Sequence, residues 1–534
     1  MSAKSVEFGD PVRAKVVRGA CRLVDTVAVT LGPAGRTVVL DRGGRAPRVS
    51  KDGLTVAREI EWADPFEELG ARIIREAALE AGRAVGDGTT TVLVLAAAMV
   101  REGMKFVIVG MDPMGVARGM HAAVAVACRE LDRLSTACAS QEATATIATI
   151  AANGDAALGQ LVASALHEVG RHGMVSAQPS ASDLDELVID RGARIACGYL
   201  SPHFVPEGRG EARLDNPLIV VCDGKVTDAE GIVRVMELAM HAGSPLLVLA
   251  HDVEGPALAT LLANARRGSI QVCAIRAPGI GERRGELLED VATLVGATIV
   301  GEGAGSSLSR LESHQLGRAA AVTVSSDKTF ILQGRGDAAL AARRVEQVER
   351  RLREARSEGE RENLEARAGF FAGRAAVIKL RGATETELQE RLDRADGAVR
   401  AARAALEEGI VPGGGVALLR CAASVRALKS STEEERAGHR VVLRALEEPI
   451  RQLATNRGDA PTVVMAKVAS QSGDFGYDAA TGHYGNMVHM GVLDPAKVCR
   501  IALQSAASVA AIILTTGCAV ASGSNAAADI QASA

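Results

Sequence analysis

Across residues 68–132, alanine, leucine and valine recur at three- and four-residue spacing from Leu69 onward, interrupted at 86–88. This periodicity predicts long amphipathic helices on either side of a glycine break. The texture changes between 217 and 300, where short apolar runs at 218–221, 246–250, 270–275 and 298–300 alternate with amphipathic segments near 230–242, 254–267 and 284–294. Strand–helix alternation of an α/β domain is expected there. Residues 343–367 are dense in charge of both signs, but Val345, Val348, Leu352 and Ala355 keep one apolar stripe, which predicts a solvated helix broken near Gly359. After residue 383 the alanine-rich helical texture returns. The α/β piece is therefore inserted between two halves of a helical domain, so its ends should lie close in space. The uncharged stretch 501–528 is diluted by Gln504, Asn525, serines and threonines, and is expected as a helix buried in protein rather than a membrane span.

The chain has 534 residues, enough for roughly two to four domains. Its 61 Lys+Arg against 65 Asp+Glu, formally −4, argue against a nucleic-acid or anionic-membrane binder. With only one Trp, three Tyr and eight Phe, partners must be gripped largely by aliphatic side chains and backbone. Nine cysteines without a CxxC pair suggest reduced thiols and a cytoplasmic location, and the charged N-terminus shows no signal-peptide core. The ten histidines match no metal or triad spacing, which disfavours a small-molecule phosphotransferase.

The most informative segment is Gly86-Asp87-Gly88-Thr89-Thr90-Thr91, directly before the apolar helix that begins Val92-Leu93-Val94-Leu95. Glycines let N–H groups crowd an anion, three hydroxyls add ligands, and a helix N-terminus adds positive partial charge, so a phosphate fits. Asp87 is a natural magnesium ligand beside it. An ordinary capped helix start explains the hexapeptide equally well. It is not a Walker loop, since GxxxxGK[ST] is absent around it. Further turns occur at Thr30-Leu31-Gly32-Pro33-Ala34-Gly35-Arg36, at Val49-Ser50-Lys51-Asp52-Gly53, where a cation and a carboxylate precede a glycine, and at Gly413-Gly414-Gly415.

Together, TLGPAGR, KDG, GDGTTT, AALEEGIVPGGG and YGNM, with Tyr477-Asp478-Ala479-Ala480 and Asp494-Pro495, resemble the group I chaperonins of the GroEL type. The resemblance runs in register from about Ala3 to Cys518, and the chain is similar to a divergent paralogue of that family. It implies a mainly α fold with an inserted α/β domain: an equatorial helical domain (1–133 and 408–534), an intermediate hinge (134–190 and 375–407) and an apical client-binding domain (191–374). It further implies an ATPase coupled to protein folding, of isomerase type, which captures unfolded proteins and folds them in the cavity of a ring with a lid co-chaperonin. Seven-membered rings, usually doubled to 14, and the cofactors ATP, Mg2+ and K+ belong to the same implication. By motif matching, Thr30, Leu31, Gly32, Pro33, Lys51, Gly88, Thr89, Thr90 and Thr91 would hold nucleotide and Asp87 the magnesium. Gly414, Asp478, Ala479, Ala480 and Asp494 would surround base and ribose, and Asp52 would position the attacking water. The client groove would match Tyr199, His203, Phe204, Val233, Met236, Leu258, Leu262 and Ala263; without the resemblance, Val233/Met236 and Leu258/Leu262 read as core-facing helix positions.

Several positions depart from the family's pattern. Twelve residues before Gly409 the family carries an aspartate that helps polarise the attacking water, and this chain has Gly397. Asp396 points about 100° away on a helix and does not substitute, and glycine in a helix interior costs about 1 kcal/mol. ATP binding with slowed hydrolysis is expected. Cys197 replaces an arginine that pairs with the glutamate matching Glu385, Arg83 stands where an acid is usual, and Asp478 replaces an asparagine. Weaker cooperativity should follow. The pairs Asp155–Arg394 and Glu408–Arg500 are expected to be retained, and the tail 522–534 lacks Gly-Gly-Met repeats. Gly397 also favours a second reading, a holdase or scaffold that binds ATP but hydrolyses it slowly.

Overall fold

The computed structural model describes residues 4–41, 47–170, 174–180, 184–206, 210–279, 281–301, 307–355, 357, 360, 364, 367, 370 and 374–522. The chain forms two compact units, one built from 1–164 and 382–534 and the other from 165–381. The first unit is thus made of both chain ends and the second is inserted, as the helix–sheet–helix texture predicts.

The first unit is helical. Helices Gly9–Ala28, Pro65–Val85, Thr89–Ile108, Pro113–Leu134, Glu433–Ala445 and Ala496–Thr515 surround a core in which Leu23, Ile74, Leu93, Met99, Met120 and Leu503 are fully buried. Asp64 and Asp112 cap two of these helices through their side chains, each followed by a proline at the first helical position. Close crossings are made by small residues. A Cβ at Gly19 would stand 1.9 Å from Glu67 O, and one at Gly70 would stand 1.9 Å from Val16 O, so helices 9–28 and 65–85 meet backbone to backbone. Glu67, buried at that crossing, receives Arg18 at 3.1 Å and Arg22 at 2.7 Å, which pairs its charge. Helix Ala496–Thr515 is long and apolar enough to cross a membrane by composition, but Ala502, Leu503, Ala506, Ala510 and Ile513 are buried in the helical core. The chain then forms strand Cys518–Ser522, antiparallel to Lys4–Phe8, which ties the two ends of the described chain together. The tail expectation falls almost wholly outside the described residues.

The second unit contains the long sheet. Val272–Arg276, Leu246–Ala250 and Leu218–Cys222 are parallel neighbours, and helices Ala229–His241, Gly255–Arg267 and Glu282–Val295 alternate with them in sequence. The runs LIVVC and LLVLA are buried at every position, as continuous apolar parallel strands require. The sheet continues through Gly317–Val324, Thr329–Gly334, Glu186–Ile195, Arg374–Leu380 and Met174–Pro179. The expected strand at 270–275 begins later, at Val272, because Ile270 is buried in the turn before it. The charged helix spans Ala338–Glu354 and buries only Val348 of its stripe; the break expected at Gly359 lies outside the described residues. Asp290, with no exposed surface, is held by Arg344 Nε at 2.7 Å and Arg367 Nε at 2.6 Å.

Candidate nucleotide site

Three turns converge on the start of helix Thr89–Ile108. Gly86 ends helix Pro65–Val85 and Gly88 opens the next, with φ of 75° and 77°, values that favour glycine. No side chain caps this helix start, so the N–H groups of Thr89–Thr91 and the positive end of the helix dipole face the turn. A Cβ at Gly53 would stand 2.3 Å from Thr90 Oγ1 and 3.0 Å from Thr30 Oγ1. Glycine there lets the KDG turn, the TLGP turn and the GDGTTT loop meet.

Thr30 is buried and donates through Oγ1 to Val27 O at 2.8 Å. Its turn is pinned from a distant part of the chain, because Asn456 Nδ2 donates to Ala28 O at 2.8 Å and to Leu31 O at 2.9 Å. Lys51 Nζ donates to Pro33 O at 3.1 Å and joins two of the turns. Asp52 caps helix Gly53–Glu59: its Oδ2 accepts from Thr55 N at 2.8 Å and Thr55 Oγ1 at 2.6 Å. Oδ1 of Asp52 has no partner among the described residues.

Acids line the same place. Asp87 Oδ1 accepts from Gly88 N at 2.6 Å, yet enclosure and the charge of Asp52 hold its carboxyl above the usual range. Asp494, in strand Leu493–Pro495, is pushed up to about 7 by burial and by Asp87. Among the described residues no three metal-ligating side chains stand together. Asp87, with the charge of Asp52 acting on it, offers the one or two carboxylates that magnesium takes when phosphate and water complete its shell. Folded Asp494 keeps its proton up to about pH 7 whereas an ordinary Asp loses it near 3.8, so stability falls as pH rises through that window. Asp494→Asn should therefore raise the melting temperature of the nucleotide-free protein by several degrees at pH 8, with the gap closing toward pH 4, in a thermal-shift series.

A second cluster adjoins the first through the strand pair Ile410–Pro412 and Leu493–Pro495, which sets Val411 opposite Asp494. A Cβ at Gly414 would stand 2.8 Å from Met487 Cε and 3.4 Å from Tyr477 O, which places this glycine beside the 477–480 segment. Asp478 turns its carboxylate onto its own loop, accepting from Ala480 N at 2.8 Å and Thr481 Oγ1 at 2.6 Å. Arg457 then donates to the carbonyls of Ala479 and Ala480, at 3.3 and 2.9 Å. Sequence reasoning missed Asn456 and Arg457; neither lies in a motif, and Asn456 acts 428 positions from its partner.

Gly397 lies inside helix Glu385–Glu408 and against the GDGTTT turn, where a Cβ would meet Gly86 O at 3.2 Å. Arg83 is exposed in the last turn of helix Pro65–Val85, where the helix dipole favours a cation. Glu408 accepts from Arg500 Nε at 2.9 Å, so that expected pair is present. Asp155 and Arg394 do not pair in this structure: Asp155 Oδ1 accepts from Leu158 N at 3.0 Å, and Arg394 reaches Glu390 at 3.7 Å. A local cap and an i,i+4 partner are the nearer alternatives for these side chains. Cys197 is a packed thiol, pushed up to about 12 by burial.

The residues matched to a client groove lie in the second unit, around helices Ala229–His241 and Gly255–Arg267, which pack together. Val233, His203 and Ala263 are exposed, and Tyr199, Leu258 and Leu262 are half-buried. Phe204 and Met236 are buried in the core of the unit. The surface offered to solvent is thus narrower than the matched set.

Two solved structures of the chaperonin gp146 from bacteriophage EL 2 (Pseudomonas aeruginosa), both crystallised in the presence of ATP-BeFx, resemble this chain at 22% identity. Each alignment covers 96% of this chain and 98% of the other, with TM-scores of 0.65 and 0.61, and shows a shared fold. The TCP-1/cpn60 chaperonin family matches residues 23–523. The chain, a helical unit from both ends with an inserted α/β unit, therefore belongs to the TCP-1/cpn60 chaperonin family.

Proposed function

We propose that this chaperonin is an ATP-dependent chaperone that captures unfolded proteins and promotes their folding in a ring cavity closed by a co-chaperonin. The observation that carries the nucleotide reading is the meeting of Thr30, Gly53 and Thr90, where three turns crowd one uncapped helix start. The N–H groups and hydroxyls of Thr89–Thr91, with the backbone of Thr30–Pro33, would bind phosphates, and Lys51 would steady the turns. Asp87 would hold Mg2+, which neutralises phosphate charge when bound. Asp52, committed to Thr55 through Oδ2, keeps Oδ1 for orienting a water. Gly414, Asp478, Ala479, Ala480 and Asp494 would line base and ribose; K+ is proposed on the resemblance alone. The phage chaperonin's crystallisation with an ATP analogue supports the same reading.

Assembly into seven-membered rings, doubled to 14, is proposed on the resemblance, and apolar side chains left outside would serve contacts between copies. Val39 and Val49 are 68% and 61% exposed on the hairpin Val38–Leu40/Arg48–Ser50, and Phe8 is 70% exposed on the strand pair of the two ends. The division into equatorial, intermediate and apical domains, and a cytoplasmic location, belong to the proposal. Val233, Ala263, Leu258 and Leu262 would meet the client, aliphatic groups that recognise apolar surface rather than sequence. Gly397 favours the second reading, a holdase or scaffold with slow turnover. Refolding of a chemically unfolded client that cannot fold alone, with ATP and a co-chaperonin, separates the two. A folding chaperonin raises the yield of active client, whereas a holdase suppresses aggregation with no ATP-driven gain.

A further inference from the structure

We propose that Arg400 is a phosphate-binding residue of this nucleotide site, a cation supplied by helix Glu385–Glu408 beside the turn where Gly397 leaves no acid. The inference rests on the reading of the converging turns as an ATP site. A Cβ at Gly86 would stand 2.6 Å from Arg400 Cβ and 3.2 Å from Arg400 Nε. The side chain is therefore laid along the phosphate-side turn instead of extending away from it. Gly397 and Arg400 are three residues apart, on the same helix face, and Gly397 O would stand 2.5 Å from the same added Cβ. The absence of a side chain at Gly86 is what lets the helix approach the turn and bring Arg400 with it.

Arg400 is exposed and has no hydrogen bond or ion pair among the described residues, whereas Arg394, on the same helix, reaches Glu390 at 3.7 Å. Asp87 and Asp494 do not engage it either. An uncommitted guanidinium beside Gly86, three residues before the uncapped helix start, suits a phosphate chain, whose oxygens its planar fork can take two at a time. An acid at 397 would stand at i,i+3 from Arg400 and draw it off the phosphates. Gly397 and Arg400 thus form one exchange, in which an acid is given up and a phosphate ligand is gained.

Dissociation constants for ATP and ADP, measured by calorimetry in Mg2+ on the full-length protein and on Arg400→Gln and Arg400→Lys, test this. Arg400→Gln should weaken both nucleotides roughly tenfold, the scale of one charge-assisted hydrogen bond, with an unchanged melting temperature. Arg400→Lys should retain most of the affinity. Wild-type affinity in Arg400→Gln, or an equal loss in Arg400→Lys, overturns the role of Arg400 while leaving the nucleotide site standing. A wild-type protein that binds no ATP overturns both.

Discussion

Gly53→Val should abolish ATP binding, by at least about a hundredfold in affinity, while the helical unit stays folded. A Cβ at this position already meets Thr90 Oγ1 at 2.3 Å, Thr30 Oγ1 at 3.0 Å and Val27 Cγ1 at 3.0 Å. Threonine rotation can relieve one of these contacts but not all three, and valine adds two methyl groups. Helix Gly53–Glu59 is short and begins at an exposed Asp52, so the strain is relieved by moving the turn outward. That motion separates the TLGP and GDGTTT turns and dissolves the anion site. Calorimetry with ATP and a circular-dichroism melt check both halves. Unchanged affinity would show that the three turns need not meet for nucleotide to bind.

Gly397→Asp should speed steady-state ATP turnover at saturation by at least about tenfold, within the range expected of a carboxylate that positions or deprotonates a nucleophile. The added Cβ sits 3.2 Å from Gly86 O, tight but not forbidding, so the carboxylate is delivered at the edge of the GDGTTT turn. Neighbouring Asp396 is exposed and cannot reach that edge, since adjacent helical residues point about 100° apart. The same substitution should weaken ATP binding by recruiting Arg400. Unchanged turnover would mean that Asp52 alone carries whatever hydrolysis the protein performs.

Much of the architecture was legible in the chain because its two halves use different periods. The 3.6-residue repeat at 68–132 and the continuous apolar runs at 218–221 and 246–250 are local signals, and helices and buried strands follow them closely. The close crossings at Gly19 and Gly70 had no such signal, since a glycine in a helix pattern does not say whose carbonyl it will meet. The turns that meet were legible in their motifs but not in their supports. Asn456 and Arg457 bind main-chain carbonyls of distant turns, and Arg400 matters through its distance from Gly86, which only the fold sets. Asp155 and Arg394 mark the opposite failure, because matching two positions to a pattern fixes neither rotamer when a helix cap and an i,i+4 glutamate compete.

The proposed function puts nucleotide binding on one unit and client capture on the other, and client release on addition of ATP tests that link most directly. A fluorescently labelled, chemically unfolded protein is captured without nucleotide, and its bound fraction is followed after ATP is added to wild type and to Gly53→Val. Capture by both proteins and ATP-triggered release from the wild type alone are expected. Capture that ATP does not alter in the wild type, or no capture at all, would contradict it.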